Sequence, residues 1–178
     1  MGHLKLFSKG SSLVIENICD KIDALNERVG QFAAWLVLAL VLVTFLVVVL
    51  RYGFNFGRIS LQESTTYLHA FVFMLAGAFT LKHNQHVRVD IFYQDMSTRS
   101  KAKVDLFGTF FLLLPFAGFI LWVSFDYVYN SWKLLEGSRE AGGLPFIYIL
   151  KTLIPAMAIL LFLQAISLAG RAWINLKK

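Results

Sequence analysis

The chain consists of long apolar runs separated by short polar connections. Runs without Asp, Glu, Lys or Arg cover residues 29–50, 64–81, 106–125 and 152–170. Their lengths are 22, 18, 20 and 19 residues, and a helix needs about 20 apolar residues to cross the hydrocarbon core of a bilayer. Backbone groups in hydrocarbon must pair within their own segment, so these runs predict helices. A β-barrel would show alternation, and the helices of a soluble bundle would carry polar stripes.

We therefore predict an all-α integral membrane protein with a single membrane domain over residues 1–178. Composition agrees, because 57% of the residues are hydrophobic and 16% are charged, far from the average of soluble domains. The expected transmembrane helices cover residues 29–52, 62–82, 104–129 and 146–173. They leave too little chain for an extramembrane domain with a core of its own.

An amphipathic helix is predicted over residues 11–28, ahead of the first span. Apolar side chains recur there at spacings of three and four, with polar residues between them: Ile15, Ile18, Ile22, Leu25 and Val29. The polar face mixes acidic and basic residues, which argues against a purely electrostatic lipid anchor. Lying on the membrane surface and packing on a partner both remain open for this helix.

Lys and Arg predict the orientation of the chain. Of the 17 basic residues, 12 fall in the two termini and the link between the second and third spans, and five fall on the opposite side. The positive-inside rule therefore predicts that both termini are cytoplasmic. The net charge of +6 does not indicate a nucleic-acid partner, because the basic residues flank the spans and form no stripe with interleaved aromatics.

The spans offer almost no side chains for catalysis or cofactor binding. His69 is the one histidine well inside a run, and we interpret it as a packed helix residue, since a haem would need a second histidine at matching depth. His83, His86 and Asp90 form the only local cluster of metal-ligand types, but the alternating pattern there disfavours the helix that would bring them together. We predict no enzyme activity, no cofactor and no metal.

Four charged residues are expected near the outer ends of their spans: Arg51, Glu63, Asp126 and Lys151. If they face inward they can pair and fix how the helices meet, because buried charges need partners. Substrate binding and simple exposure to headgroups are the alternatives.

Small residues share one face in two of the spans and predict close helix packing: Thr66, Ala70 and Gly77 in the second, Ala158, Ala165 and Ala169 in the fourth. Pro115 and Pro155 each free a carbonyl four residues earlier, so we expect bends in the third and fourth helices.

The second span and its inner flank resemble a known family. Glu63 opens the span, Gly77-Ala78 lies deep in it, and His86-Val87-Arg88-Val89-Asp90 follows it. This arrangement resembles the small membrane subunit (Q subunit, DctQ-type) of tripartite ATP-independent periplasmic (TRAP) transporters. Many members open the span with two consecutive acidic residues, whereas this chain has Gln62-Glu63.

The resemblance implies a multi-pass protein of the bacterial inner (plasma) membrane, in contact with membrane lipid. It would be a scaffold that binds the large multi-span membrane subunit, which carries the sodium and substrate sites for symport. A periplasmic solute-binding protein would deliver an organic-acid-like solute. The structural or partner-interface candidates are then Arg51, Glu63, Gly77, His86, Arg88, Asp90, Asp126 and Lys151. An autonomous small dimeric exporter and a membrane anchor subunit of another complex are the alternative functions.

Overall fold

The computed structural model describes residues 2–85, 93 and 95–177, with side chains from residue 13 to residue 176 within those ranges. Every element assigned there is helical: α1 (Gly2–Gly53), α2 (Ile59–Lys82), α3 (Thr98–Gly108), a π-helical turn (Thr109–Leu113), α4 (Leu114–Leu134) and α5 (Ile147–Lys177). Four stretches are long and apolar enough to cross a membrane: Leu13–Gly53, Ile59–Lys82, Thr98–Leu134 and Ile147–Leu176. The predicted all-α class is confirmed for the described residues, as is the presence of four helices that are long and apolar enough to span a membrane.

The first helix is longer than its predicted span. α1 runs for 52 residues without a break, so the segment predicted as a separate amphipathic helix, 11–28, continues directly into the span. No proline interrupts this stretch, and the cost of Gly30 in a helix interior, about 1 kcal/mol relative to alanine, is too small to end it. Gly30 lies where the Phe79 ring of α2 packs on α1.

α5 is the central helix of the bundle, because it packs on α1, α2, α3 and α4. One cluster of the core consists of Ala78 of α2, Ala117 of α4 and Leu161 of α5, and Met157 packs against it. Ala158 and Ala165 have no exposed surface, so these two residues of the alanine face of α5 form a packing seam, whereas Thr66 of α2 is exposed. Small side chains let the helix backbones approach closely.

The third span changes its helical geometry just before Pro115. Residues Thr109–Leu113 form a π-helical turn between α3 and α4. Proline has no N–H to bond the carbonyl four residues earlier and its ring crowds that carbonyl, so a local change of hydrogen bonding is expected upstream. Thr109 is buried in this turn, and its hydroxyl donates to the Asp105 carbonyl at 2.7 Å. At Pro155, in contrast, α5 continues as one helix.

The loop between α4 and α5 begins with a left-handed residue. Leu135 has φ 46° and ends α4. The Glu136 N–H donates to the Ser131 carbonyl at 3.1 Å, which satisfies one of the last carbonyls of the helix. The chain therefore turns back at once and reaches α5 within twelve residues.

Candidate functional site

Asp23 is the centre of a polar network that joins α1 to α5 at the predicted inner end. Its carboxylate accepts hydrogen bonds from Ser167 Oγ at 2.7 Å, Gln164 Nε2 at 3.0 Å and Arg171 Nε at 2.9 Å. Arg171 Nη2 also donates to Asp20 at 3.0 Å. Two neutral donors and a guanidinium satisfy the carboxylate of Asp23, so this charge can lie at a helix contact at low cost.

The same contact contains a buried amide pair. Asn26 is 0% exposed and Gln164 is 1% exposed, and Asn26 Nδ2 donates to Gln164 Oε1 at 2.7 Å. Cys19 lies two turns earlier on α1, and its thiol is 3.5 Å from the Ser167 carbonyl. A Cβ added at Gly170 would lie 2.8 Å from Cys19 Sγ. The two helices are therefore in close contact along this length.

A second cluster at this end joins α1 to α2. Lys82 Nζ lies 2.5 Å from Glu27 Oε2, and His83 Nε2 lies 3.5 Å from the same oxygen. Gln31 Nε2 donates to Glu27 Oε1 at 3.5 Å. The Phe79 and His83 rings contact each other with centroids 4.3 Å apart. Glu27 thus fixes the position where α2 ends.

At the predicted outer end, Glu63 holds the loop between α4 and α5. Its carboxylate accepts a hydrogen bond from the Ser138 hydroxyl and another from the Leu144 N–H, the latter at 2.6 Å. Gly143 lies against both side chains, because a Cβ built there would meet Ser138 and Glu63. Glu63, in the second turn of α2, therefore binds both sides of the loop.

Glu136 and Lys151 form the second contact of this loop. Lys151 Nζ lies 2.5 Å from Glu136 Oε2, and Ser131 Oγ donates to the same oxygen at 2.7 Å. Hydrogen bonds from Lys151 and Ser131 hold the pKa of Glu136 below its ordinary value, and partial desolvation opposes them. The Lys151 ammonium also lies 3.9 Å from the centroid of the Tyr127 ring, a cation–π contact.

The four charged residues predicted near the outer ends do not gather into one cluster. Glu63 and Lys151 each bind the α4–α5 loop instead of each other. Arg51 lies over the ring of Tyr52, 5.9 Å from its centroid, and Asp126 is exposed. The prediction that these four residues pair with one another is therefore wrong. The anion that pairs with Lys151 is Glu136 in the loop.

The other sequence candidates fall in two places. Gly77 lies at the contact of α2 with α5, where an added Cβ would be 4.0 Å from Met157 Cγ. His86, Arg88 and Asp90 lie outside the described residues, so their predicted role remains a prediction. Within the described ranges, no three His, Cys, Asp or Glu side chains gather as a metal site would require.

The network around Asp23 was not among the predictions from the sequence. Gln164 and Ser167 are not ionisable and lie within the uncharged run 152–170. The available signal was spacing: Asp23 and Asn26 share a helix face, as do Gln164, Ser167 and Arg171. Two polar faces on helices at one end of the bundle are expected to meet, because buried polar groups need partners.

Together these contacts can fix helices and a loop in place. The described ion pairs lie at the two ends of the bundle, and the core between them consists of Ala78, Ala117 and Leu161 with their apolar neighbours. Among the described residues, these contacts join helices to one another and to the loop between α4 and α5.

Comparison with known proteins identifies the family. No curated protein and no solved structure matches the chain. The family model described as "Tripartite ATP-independent periplasmic transporters, DctQ component" matches residues 40–175, which includes all or part of each membrane-capable helix. This is a family of transporter components that work with a DctM component and a periplasmic binding protein, and it is not an enzyme family. The predicted resemblance to the Q subunit is thereby confirmed at the level of the family, and the chain belongs to the DctQ family of TRAP transporter components.

Proposed function

We propose that this chain is the small scaffold subunit of a sodium-coupled TRAP transporter. It binds and stabilises the large membrane subunit, which takes up an organic-acid-like solute delivered by a periplasmic binding protein. It resides in the bacterial inner membrane with both termini cytoplasmic. The candidates Gly77, Arg88 and Asp90 then serve structure or the interface between subunits.

The distribution of charge along the bundle is the observation that carries the proposal. Among the described side chains, the ion pairs of Asp23, Glu27 and Glu136 lie at the two ends of the bundle. The centre of the bundle is packed with alanine, leucine and methionine. A coupled ion needs polar or ionisable groups near the midplane, so these residues suit a support better than a conducting path.

The outward faces of the spans support a role in contact with lipid and with another membrane protein. Phe45 of α1 is 67% exposed, and Phe119 and Trp122 of α4 are 65% and 84% exposed. Apolar surface on this scale is compatible with a bilayer as solvent. The isolated chain thus presents most of its span surface to its surroundings.

Reconstitution tests the proposed function. We expect no solute-dependent flux from vesicles that contain this chain alone, and sodium-dependent flux when the large subunit and the loaded binding protein are added. The chain and the large subunit should also co-purify from detergent. Flux from the chain alone, or failure of the two membrane components to co-purify, would overturn the scaffold proposal.

The central link offers a test of how the scaffold is assembled. Arg88→Ala and Asp90→Ala should reduce the amount of assembled transporter more than they change its preference between solutes, because charges at a membrane boundary usually fix the register of helices. Normal assembly with altered solute preference would contradict this role.

A further inference from the structure

One face of α2 carries polar side chains that point away from the helices of this chain. Gln62, Thr66, His69 and Phe73 follow one another at spacings of four, three and four, so they share a face of the helix. All four side chains are exposed, while α2 packs on α1 and α5 with its other sides. The first three are polar and Phe73 is aromatic and apolar; we refer to the four residues together as the α2 polar face.

His69 lies deep enough to face hydrocarbon. It follows Glu63 by six residues, about 9 Å along the helix axis, within an uncharged run of 18 residues. Among the described residues its ring stacks on Phe73, with centroids 6.5 Å apart, and makes no hydrogen bond. An imidazole with no hydrogen-bond partner is costly in lipid, because acyl chains neither donate nor accept.

The outward faces of the other spans have a different composition. At comparable depth they expose Phe45 on α1, Phe119 on α4 and Ile159 on α5. Thr44 on α1 is exposed too, but its hydroxyl donates to the Leu40 carbonyl at 2.7 Å, which satisfies the hydroxyl within its own helix. Among the described spans, an outward face that carries a histidine is therefore an exception. Polar side chains of this kind are typical of helix faces that contact other proteins in a membrane.

We infer that the α2 polar face is the surface that docks on the large membrane subunit, and that His69 makes a hydrogen bond to a polar group on one of its helices. This inference rests on the proposed function and adds to it the location of the interface. A membrane-embedded protein can supply a donor or acceptor at this depth, and lipid tails cannot. The family places the chain in a complex with a second membrane component, which makes that component the occupant.

Site-specific photo-crosslinking distinguishes the faces. A benzophenone side chain replaces Phe73, Phe45 or Phe119, which are aromatic residues with nearly equal exposure of 66%, 67% and 65%. After irradiation of membranes that contain the complete transporter, we expect an adduct with the large subunit from position 73 and at most weak adducts from positions 45 and 119. An adduct with a second copy of this chain, or lipid adducts alone at position 73, would overturn the inference.

Substitution of His69 tests the hydrogen bond. His69→Leu should reduce the affinity for the large subunit about threefold, as expected for one hydrogen bond between membrane helices, and His69→Gln should retain part of it. Ile159→Leu on the exposed side of α5 is the control and should leave the affinity unchanged. Equal affinity of His69→Leu and wild type would contradict the hydrogen bond.

The outcomes separate the two proposals. If the chain and the large subunit co-purify but crosslink through position 45 or 119, the interface is misplaced and the scaffold role stands. If they do not co-purify at all, the scaffold role itself fails.

Discussion

Asn26 of α1 and Gln164 of α5 form a hydrogen bond of 2.7 Å between two side chains that are almost completely buried. Gln164→Met keeps the volume but leaves the Asn26 amide without its acceptor and removes one donor to Asp23. We expect a loss of about 1–3 kcal/mol in the free energy of unfolding, measured in detergent by thermal or denaturant unfolding. Ile166→Leu, an exposed position on the same helix, serves as the control. Unchanged stability of Gln164→Met would show that the pair contributes little.

Gly30 permits the close approach of α1 and α2. An alanine Cβ at this position would overlap the Phe79 ring, so one helix must shift or the ring must leave its rotamer. Gly30→Ala should therefore lower the free energy of unfolding by about 1–3 kcal/mol.

Two variants test the steric origin of that loss. Gly118→Ala meets no atom within 4 Å, so it should be neutral or slightly stabilising because alanine favours the helix. Adding Phe79→Leu to Gly30→Ala should restore part of the stability. A Gly30→Ala variant as stable as wild type would contradict the close approach.

Glu63 should protect the α4–α5 loop from proteolysis. The loop contains Arg139 between the two groups that Glu63 binds, Ser138 and the Leu144 N–H. Glu63→Ala removes both acceptors, and each hydrogen bond to a charged group contributes about 1.5–3 kcal/mol. We expect trypsin to cleave after Arg139 at least about tenfold faster in the variant, as followed by mass spectrometry. Asp126→Ala, which removes an exposed carboxylate outside the loop, should leave the cleavage rate nearly unchanged.

The pair of Glu136 and Lys151 should make stability depend on pH. The pKa of Glu136 is lowered in the folded protein, so the unfolded chain binds more protons between the two pKa values and stability rises with pH in that window. The contribution is fully present above the ordinary value of 4.5 and is lost as the pH falls through the lowered value.

The melting temperature measured against pH tests this dependence. Glu136→Gln should reduce the fall in melting temperature below pH 4.5, since glutamine does not titrate. Glu140→Gln, which changes another carboxylate of the loop, should preserve the fall caused by Glu136. If the melting temperature falls equally at low pH in wild type and Glu136→Gln, the protonation of Glu136 does not affect stability.

The spans could be predicted from sequence because their signal is local. A run such as 152–170 has no charge and must be helical in hydrocarbon, whatever its neighbours are. The third span was predicted to end at residue 129, whereas α4 extends to Leu134, because a helix can continue past the charged residues that mark the end of an apolar run. The continuity of α1 through residue 28 was missed for the same reason, since no residue there ends a helix.

The partners of the charged residues could not be predicted in the same way. Glu136 and Lys151 are 15 residues apart, and whether they meet depends on the fold of the loop between α4 and α5. Leu135 adopts a left-handed conformation that its residue type does not suggest. The partner of Lys151 is therefore set by the tertiary structure. No sequence feature close to Lys151 indicates that it pairs with Glu136 in the loop instead of with a residue of the spans.

The uninterrupted α1 constrains how the N-terminal segment can meet the membrane. The stretch Leu13–Gly53 has 41 residues, about 60 Å of straight helix, which exceeds the full thickness of a bilayer with its headgroups, about 40–45 Å. Because α1 is one continuous helix, the orientation of the segment before the span is coupled to the orientation of the span. If the span changes its tilt in the membrane, the N-terminal end of α1 moves with it outside the membrane.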